Sequence, residues 1–154
     1  MVYLDFSKAF DRVPKHRLVY KLDHLGVRGR LLRWIGSFLS NRALLFIAYT
    51  AYIKEKIISP FAMFADDIKL YNTCSNYNTL VQDLQAIYNW SQEWLLSLNV
   101  QKCVTLHVGS KNPRLVYSVG NKVLSSTGTH NDLGVLITND LSWSDHAVSV
   151  VYFE

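Results

Sequence analysis

Phe61-Ala62-Met63-Phe64-Ala65-Asp66-Asp67-Ile68-Lys69-Leu70-Tyr71 decides the fold, because two apolar, strand-prone runs flank a pair of carboxylates. Residues 61–65 and 68–71 are expected to form a hairpin with Asp66 and Asp67 at its tip, since Asp tolerates turn geometry. A second acidic cluster, Tyr3-Leu4-Asp5-Phe6-Ser7-Lys8-Ala9-Phe10-Asp11, opens on the short apolar run 2–6, which suits a buried strand. If the two strands pair, Asp5, Asp66 and Asp67 crowd onto one sheet edge. Three like charges so placed repel and raise one another's pKa unless a cation neutralises them. Hard divalent cations suit such a set, because Mg²⁺ takes one or two protein carboxylates and completes its shell with water and phosphate. The pattern therefore points to metal-assisted phosphoryl chemistry. Taken alone, Ala65-Asp66-Asp67 is also an ordinary hairpin turn.

Between these clusters the spacing predicts helices. Pro14 fits a first helical turn, Leu18, Val19, Leu22 and Leu25 follow at three-to-four spacing, and Gly26 is the stop. A second helix is expected over 30–39, with Leu31, Trp34, Ile35 and Phe38 on one side, and a third over 43–58, ending before Pro60. The clearest amphipathic helix is 79–98, where Leu80, Leu84, Ile87, Trp94, Leu95 and Leu98 recur at helical intervals. At that spacing Trp90 and Trp94 read as core rather than as base-stacking platforms. Strand-like runs follow at 104–108, 115–119, 122–124 and 133–137, with Gly120-Asn121 suited to a tight turn. The fold class expected is α+β, an antiparallel sheet packed on helices with a β-rich C-terminal segment.

Composition narrows the function classes. Of 154 residues, 49% are hydrophobic and 18% charged, which excludes wholesale disorder and is one domain's worth of chain. The net charge of +4 and a pI near 9.1 are compatible with a polyanionic partner. Lys15, Arg17, Lys21, Arg28, Arg30 and Arg33 gather the positive charge, as a phosphate-contacting or a merely solvated helix face. Cys74 and Cys103 form no C-x-x-C pair and no zinc spacing, so two free thiols in a reducing compartment are expected. His16, His24, His107, His130 and His146 are scattered and read as surface or core. A charge at Asp5 falls where a signal peptide would need an apolar run, and the apolar stretch 43–53 is too short to span a bilayer.

The two acidic clusters closely resemble motifs A and C of reverse transcriptases, in particular those of non-LTR (LINE-type, jockey-like) retrotransposons. In that family motif A is a hydrophobic strand followed by D-x-S-K-A-F-D, and motif C is F-A-D-D between hydrophobic residues. Asp5 and Asp11 match the former, Asp66 and Asp67 the latter. The stretch 17–42 resembles the helical segment after motif A, while 90–103 and Asp132-Leu133-Gly134-Val135 resemble segments after motif C. One departure matters. The family runs through a strand pair and a Pro-Gln-Gly loop, motif B, into a helix under template and nucleotide, whereas this chain passes from Arg42 straight to Ala43-Leu44-Leu45-Phe46-Ile47. The resemblance implies one partial domain over 1–154, with a palm core at 1–107 and a palm end with a primer-grip-like hairpin at 108–154. Fingers and thumb are expected to lie outside this sequence.

The resemblance also implies roles. Two Mg²⁺ ions, with Mn²⁺ as a substitute, would be held by Asp5, Asp66, Asp67 and the backbone carbonyl of Phe6, and would activate a primer 3′-hydroxyl against an α-phosphate. Phe10 would pack under the nucleotide sugar and exclude a 2′-hydroxyl, or simply fill the core. Asp11 would orient its loop or pair with Arg12 or Lys15. Lys102 would approach the departing pyrophosphate as a general acid, or be a solvated lysine. Leu133, Gly134 and Val135 would form the primer grip. Partners would be an RNA template, a DNA primer and deoxynucleoside triphosphates, with no membrane, in an intracellular setting, nuclear or cytoplasmic. Without motif B the fragment is expected to be inactive alone; the alternatives are a non-catalytic remnant that binds nucleic acid or protein, and a relic that folds poorly.

Overall fold

The computed structural model describes residues 1–7, 15–38 and 53–151. The described elements run in the order β1 (Val2–Asp5), α1 (Lys15–His24), α2 (Gly29–Phe38), a 3₁₀ turn (Ile53–Lys56), β2 (Phe61–Phe64), β3 (Asp67–Leu70), a 3₁₀ turn (Cys74–Asn76) and α3 (Tyr77–Glu93). β4 (Val104–Leu106), β5 (Ser118–Val119), β6 (Lys122–Val123), β7 (Ser125–Thr127), β8 (Thr129–Asp132), β9 (Val135–Thr138) and α4 (Ser144–Val151) follow. Five strands form one sheet in the order β2-β3-β1-β4-β7; its first three pairings are antiparallel and β7 joins β4 in parallel. Two further hairpins, β5-β6 and β8-β9, complete an α+β architecture.

Period-two alternation assigns the two faces of the sheet. Val2, Leu4 and Phe6 of the first strand, with Ile68 and Leu70 of β3, turn inward and are buried against Leu80, Leu84, Ile87 and Trp90 of α3. Phe6 meets Trp90 edge-on, with ring centroids 5.8 Å apart. Burial of each large side chain is worth about 1.5–3 kcal/mol, so this layer holds the sheet to the helix. Tyr3, Asp5, Asp67 and Lys69 fall on the opposite face, as cross-strand partners Tyr3↔Lys69 and Asp5↔Asp67. Asp83, buried in α3, accepts backbone N–H groups from Ile58 and Ser59, each at 2.8 Å, and ties the approach to β2 onto the helix. The β5-β6 turn presses on the same helix, where a Cβ at Gly120 would lie 2.7 Å from the Tyr88 ring.

Several boundaries differ from the sequence reading. α3 ends at Glu93 rather than at 98, because Leu95 turns left-handed (φ +57°) and the chain reverses. Leu96 N–H then donates to Ser91 O (2.9 Å) and Leu95 N–H to Gln92 O (3.2 Å), the bonding of a Schellman cap. α1 closes in the same way, with Val27 N–H on Leu22 O and Gly26 N–H on Asp23 O, both 3.0 Å, and here glycine takes the left-handed position (φ +87°). The helix expected over 43–58 does not reach its predicted end: residues 53–56 form a 3₁₀ turn, the segment to Pro60 is irregular, and 43–52 lie outside the described residues. On α2, Trp34 and Phe38 stack on each other at 5.1 Å and stay exposed, while Ile35 reaches the core. Pro14 and Leu39 lie outside the described residues. β7 and β8 carry no apolar periodicity that announced them, and α4 was not anticipated either; β8 reads Thr-His-Asn-Asp and forms because β9 supplies its ladder.

Candidate active site

The acidic residues enter the site through strand register. β2 and β3 close a two-residue turn, Ala65-Asp66, with Phe64 opposite Asp67, so Asp67 is the first residue of β3 rather than part of the tip. Ala65 bears the strain of that turn, at φ +51°. Because β1 runs antiparallel to β3, Asp67 faces Asp5 directly across the ladder, on the outer face. Directly opposed like charges destabilise a sheet pair. The Asp67 carboxyl is accordingly held above its ordinary range, first by burial and then by the charges of Asp66, Asp5 and Asp132, with His130 opposing them.

The loop that follows α3 clamps the end of β1. Ser7 N–H donates to Ser97 O at 2.7 Å, Phe6 bridges Leu98, Asn99 N–H donates to Asp5 O at 2.8 Å, and Asp5 N–H points at Cys103 Sγ, 3.5 Å away. Cys103 is buried, and burial pushes its thiol above the ordinary value. This clamp delivers Lys102, whose Nζ lies 3.3 Å from Asp5 Oδ2.

The β8-β9 hairpin covers the other end of the row. The His130 ring lies 3.9 Å from the Tyr3 ring, Lys69 is ion-paired with Asp132, and Lys69 Nζ stands 5.9 Å over Tyr3. Burial, helped by Asp132, pushes the Tyr3 hydroxyl up to about 12. Burial also holds His130 below its ordinary value, with Lys69 adding to that and Asp132 and Asp67 opposing it. At the tip, Leu133 (φ +53°) and Gly134 (φ +87°) make a two-residue turn with both residues left-handed, and Asn131 Oδ1 accepts the Gly134 N–H at 3.0 Å. A cleft of about 620 Å³ lies between sheet and hairpin, lined by Asp5, Asp67, Lys102, Phe64, Asp132 and Leu133 among others.

Of the residues singled out in the sequence, the structure brings Asp5, Asp67, Lys102 and Leu133 to one cleft. Asp66 sits in the adjoining turn, Gly134 in the tip and Val135 at the start of β9. The Phe6 side chain turns away into the core. Phe10, Asp11 and Arg12 lie outside the described residues, as does the side chain of Lys15. Tyr3, Lys69, His130 and Asp132 were not singled out as site residues. Their signal was present for two of them, since Tyr3 and Lys69 stand two residues from Asp5 and Asp67 and share their face.

The donor chemistry suits a hard divalent cation, because Asp5 and Asp67, directly opposed across the ladder, present two carboxylates of the kind such an ion takes. Among the described residues, no three Asp, Glu, His or Cys side chains gather closely enough to hold a metal ion as they stand. Nor is any helix among them long and apolar enough to cross a membrane.

A largely antiparallel sheet backed by helices, with carboxylates on adjacent strands facing an open cleft, is consistent with part of a polymerase palm. The family model described as reverse transcriptase (RNA-dependent DNA polymerase) matches residues 1–137, and the chain belongs to that family. No curated protein matches the chain.

Proposed function

We propose that the chain is a single partial palm domain of a non-LTR retrotransposon reverse transcriptase, which retains the carboxylates of nucleotidyl transfer and has no turnover alone. The observation that carries this reading is the Asp5↔Asp67 register at the mouth of the cleft, in a chain of reverse-transcriptase family. Asp5, Asp66, Asp67 and the Phe6 carbonyl would hold two divalent ions, Mg²⁺ or Mn²⁺. When bound, such ions lower the barrier to attack on an α-phosphate and stabilise the leaving oxygen.

The protein's own residues do the rest. The clamp from Ser97 to Cys103 fixes the end of β1; Lys102, 3.3 Å from Asp5, would serve as general acid to the departing pyrophosphate, and the Leu133-Gly134 tip, with Val135, would abut a primer end. Phe10 would be the steric gate that favours deoxynucleotides. The natural partners are then an RNA template, a DNA primer and deoxynucleoside triphosphates, in the nucleus or cytoplasm.

Inactivity follows from positioning. No glutamine lies between Asp5 and Asp66, so no Pro-Gln-Gly loop stands between the two acidic motifs. Orientation contributes on the order of 7–11 kcal/mol to reactions of this kind, and a palm that cannot seat template and nucleotide loses most of it. Primer extension on an RNA template with Mg²⁺ or Mn²⁺ tests the proposal, and no product is expected. Extension that Asp66→Asn abolishes would overturn the inactivity. Salt-dependent RNA binding that survives Asp66→Asn would instead support a non-catalytic binding remnant.

A further inference from the structure

Asp5 and Asp67 face each other in register, yet their surroundings differ. The Asp5 carboxylate has Lys102 Nζ at 3.3 Å, whereas among the described residues no ion pair reaches Asp67. The lysine is not there by a chance excursion of a long side chain. Its loop is bonded to β1 on both sides of Asp5, through Asn99 N–H to Asp5 O, Ser7 N–H to Ser97 O, and Asp5 N–H to Cys103 Sγ. Cys103 Sγ in turn lies 3.2 Å from Asn99 O, closing the turn that presents Lys102. The Asp5 side chain is largely covered, with 19% of its surface exposed, while that of Lys102 is 68% exposed and free to swing into solvent.

We infer that Lys102 is the built-in counter-ion of Asp5, and that a divalent cation enters the site by displacing its ammonium group. This rests on the reading of Asp5 as a cation ligand. In the cation-free protein the ammonium neutralises one carboxylate of the crowded row and lets β1 and β3 pair. A doubly charged cation on Asp5 repels it, and the long stem carries it outward, still tethered by the loop and facing the cleft. No bond forms or breaks in the exchange; one cation replaces another on a carboxylate. Cation affinity is therefore weaker than the carboxylates alone would give, by the strength of an ion pair exposed on one side, which corresponds to about two- to fivefold.

The test is Mn²⁺ binding to the full chain at low salt, read from the loss of the free-ion electron paramagnetic resonance signal, with Mg²⁺ as competitor. Lys102→Met is expected to bind about two- to fivefold more tightly than the parent chain. Lys102→Arg, which keeps the charge, is expected to match the parent, and Asp5→Asn to bind weakly. In the Asp5→Asn background, Lys102→Met should add nothing. Equal affinity of the parent and Lys102→Met, with Asp5→Asn still weak, would overturn the exchange and leave the cation site standing. A Lys102→Met gain that persists without Asp5 would also overturn it, since the lysine would then act only through the general field. No Mn²⁺ binding by parent or variants would overturn the cation site itself, and the exchange with it.

Discussion

Asp67 is where the chain's architecture works against its own stability. Its carboxyl is raised above the usual 3.8 by burial and by Asp66, Asp5 and Asp132, so the folded chain holds that proton more tightly than the unfolded chain does. The stabilisation linked to this group is fully present below the unfolded value and is lost as pH rises through the folded one. Asp67→Asn, which mimics the protonated form, is therefore expected to raise the melting temperature of the cation-free chain at pH 7. The gain is small, up to about 0.5 kcal/mol once solvent screening is allowed for. It shrinks to nothing as melts are taken below about pH 3.8. Thr105 offers a contrast without charge. It sits in β4 at 2% exposure, with a buried hydroxyl that has no hydrogen-bond partner. Thr105→Val keeps the β-branched shape and removes the orphaned group, and should stabilise the chain by about 1 kcal/mol in urea melts.

At the scale of elements, the two Schellman caps are a natural comparison. Gly26 closes α1 at a φ that glycine adopts freely, while Leu95 closes α3 in the same role with a side chain that opposes it. Leu95 is 56% exposed, so its packing offsets little of the strain. Leu95→Gly is expected to raise the urea midpoint, by about 1 kcal/mol of stability at unchanged slope, and Gly26→Ala to lower it by a similar amount. The same pair shows what the sequence discloses. The stop of α1 was legible because glycine marks it; that of α3 was hidden because Leu95, Leu96 and Leu98 continue the helical spacing past the cap. The strands beside the carboxylates were legible to within a residue, since Val2, Leu4, Phe6, Ile68 and Leu70 are apolar where the sheet meets α3. β7 and β8 were not, because polar strands at a sheet margin take their stability from ladder bonds with β4 and β9 rather than from burial.

Across the whole molecule, the residues of the candidate cleft were legible in part, and its geometry only by half. Asp5 and Asp67 could be named because motif and strand pattern agree, and Lys102 from its likeness to a family motif alone, but nothing local in Thr129-His130-Asn131-Asp132 announces that this segment folds back over Tyr3 and Lys69. That contact joins residues more than sixty positions apart and makes the cleft a cleft. The Lys69 and Asp132 side chains are 28% and 15% exposed, so removing one charge leaves the other poorly solvated. Lys69→Met and Asp132→Leu, made singly, are each expected to reduce hydrogen-exchange protection of the amides from Thr129 to Thr138 by roughly tenfold, while the β1-β3 ladder keeps its own. The double variant should recover most of the loss, because two apolar side chains leave no orphaned charge behind. Single variants with undiminished protection would show that the hairpin is seated by its other contacts, the His130 and Tyr3 rings first among them.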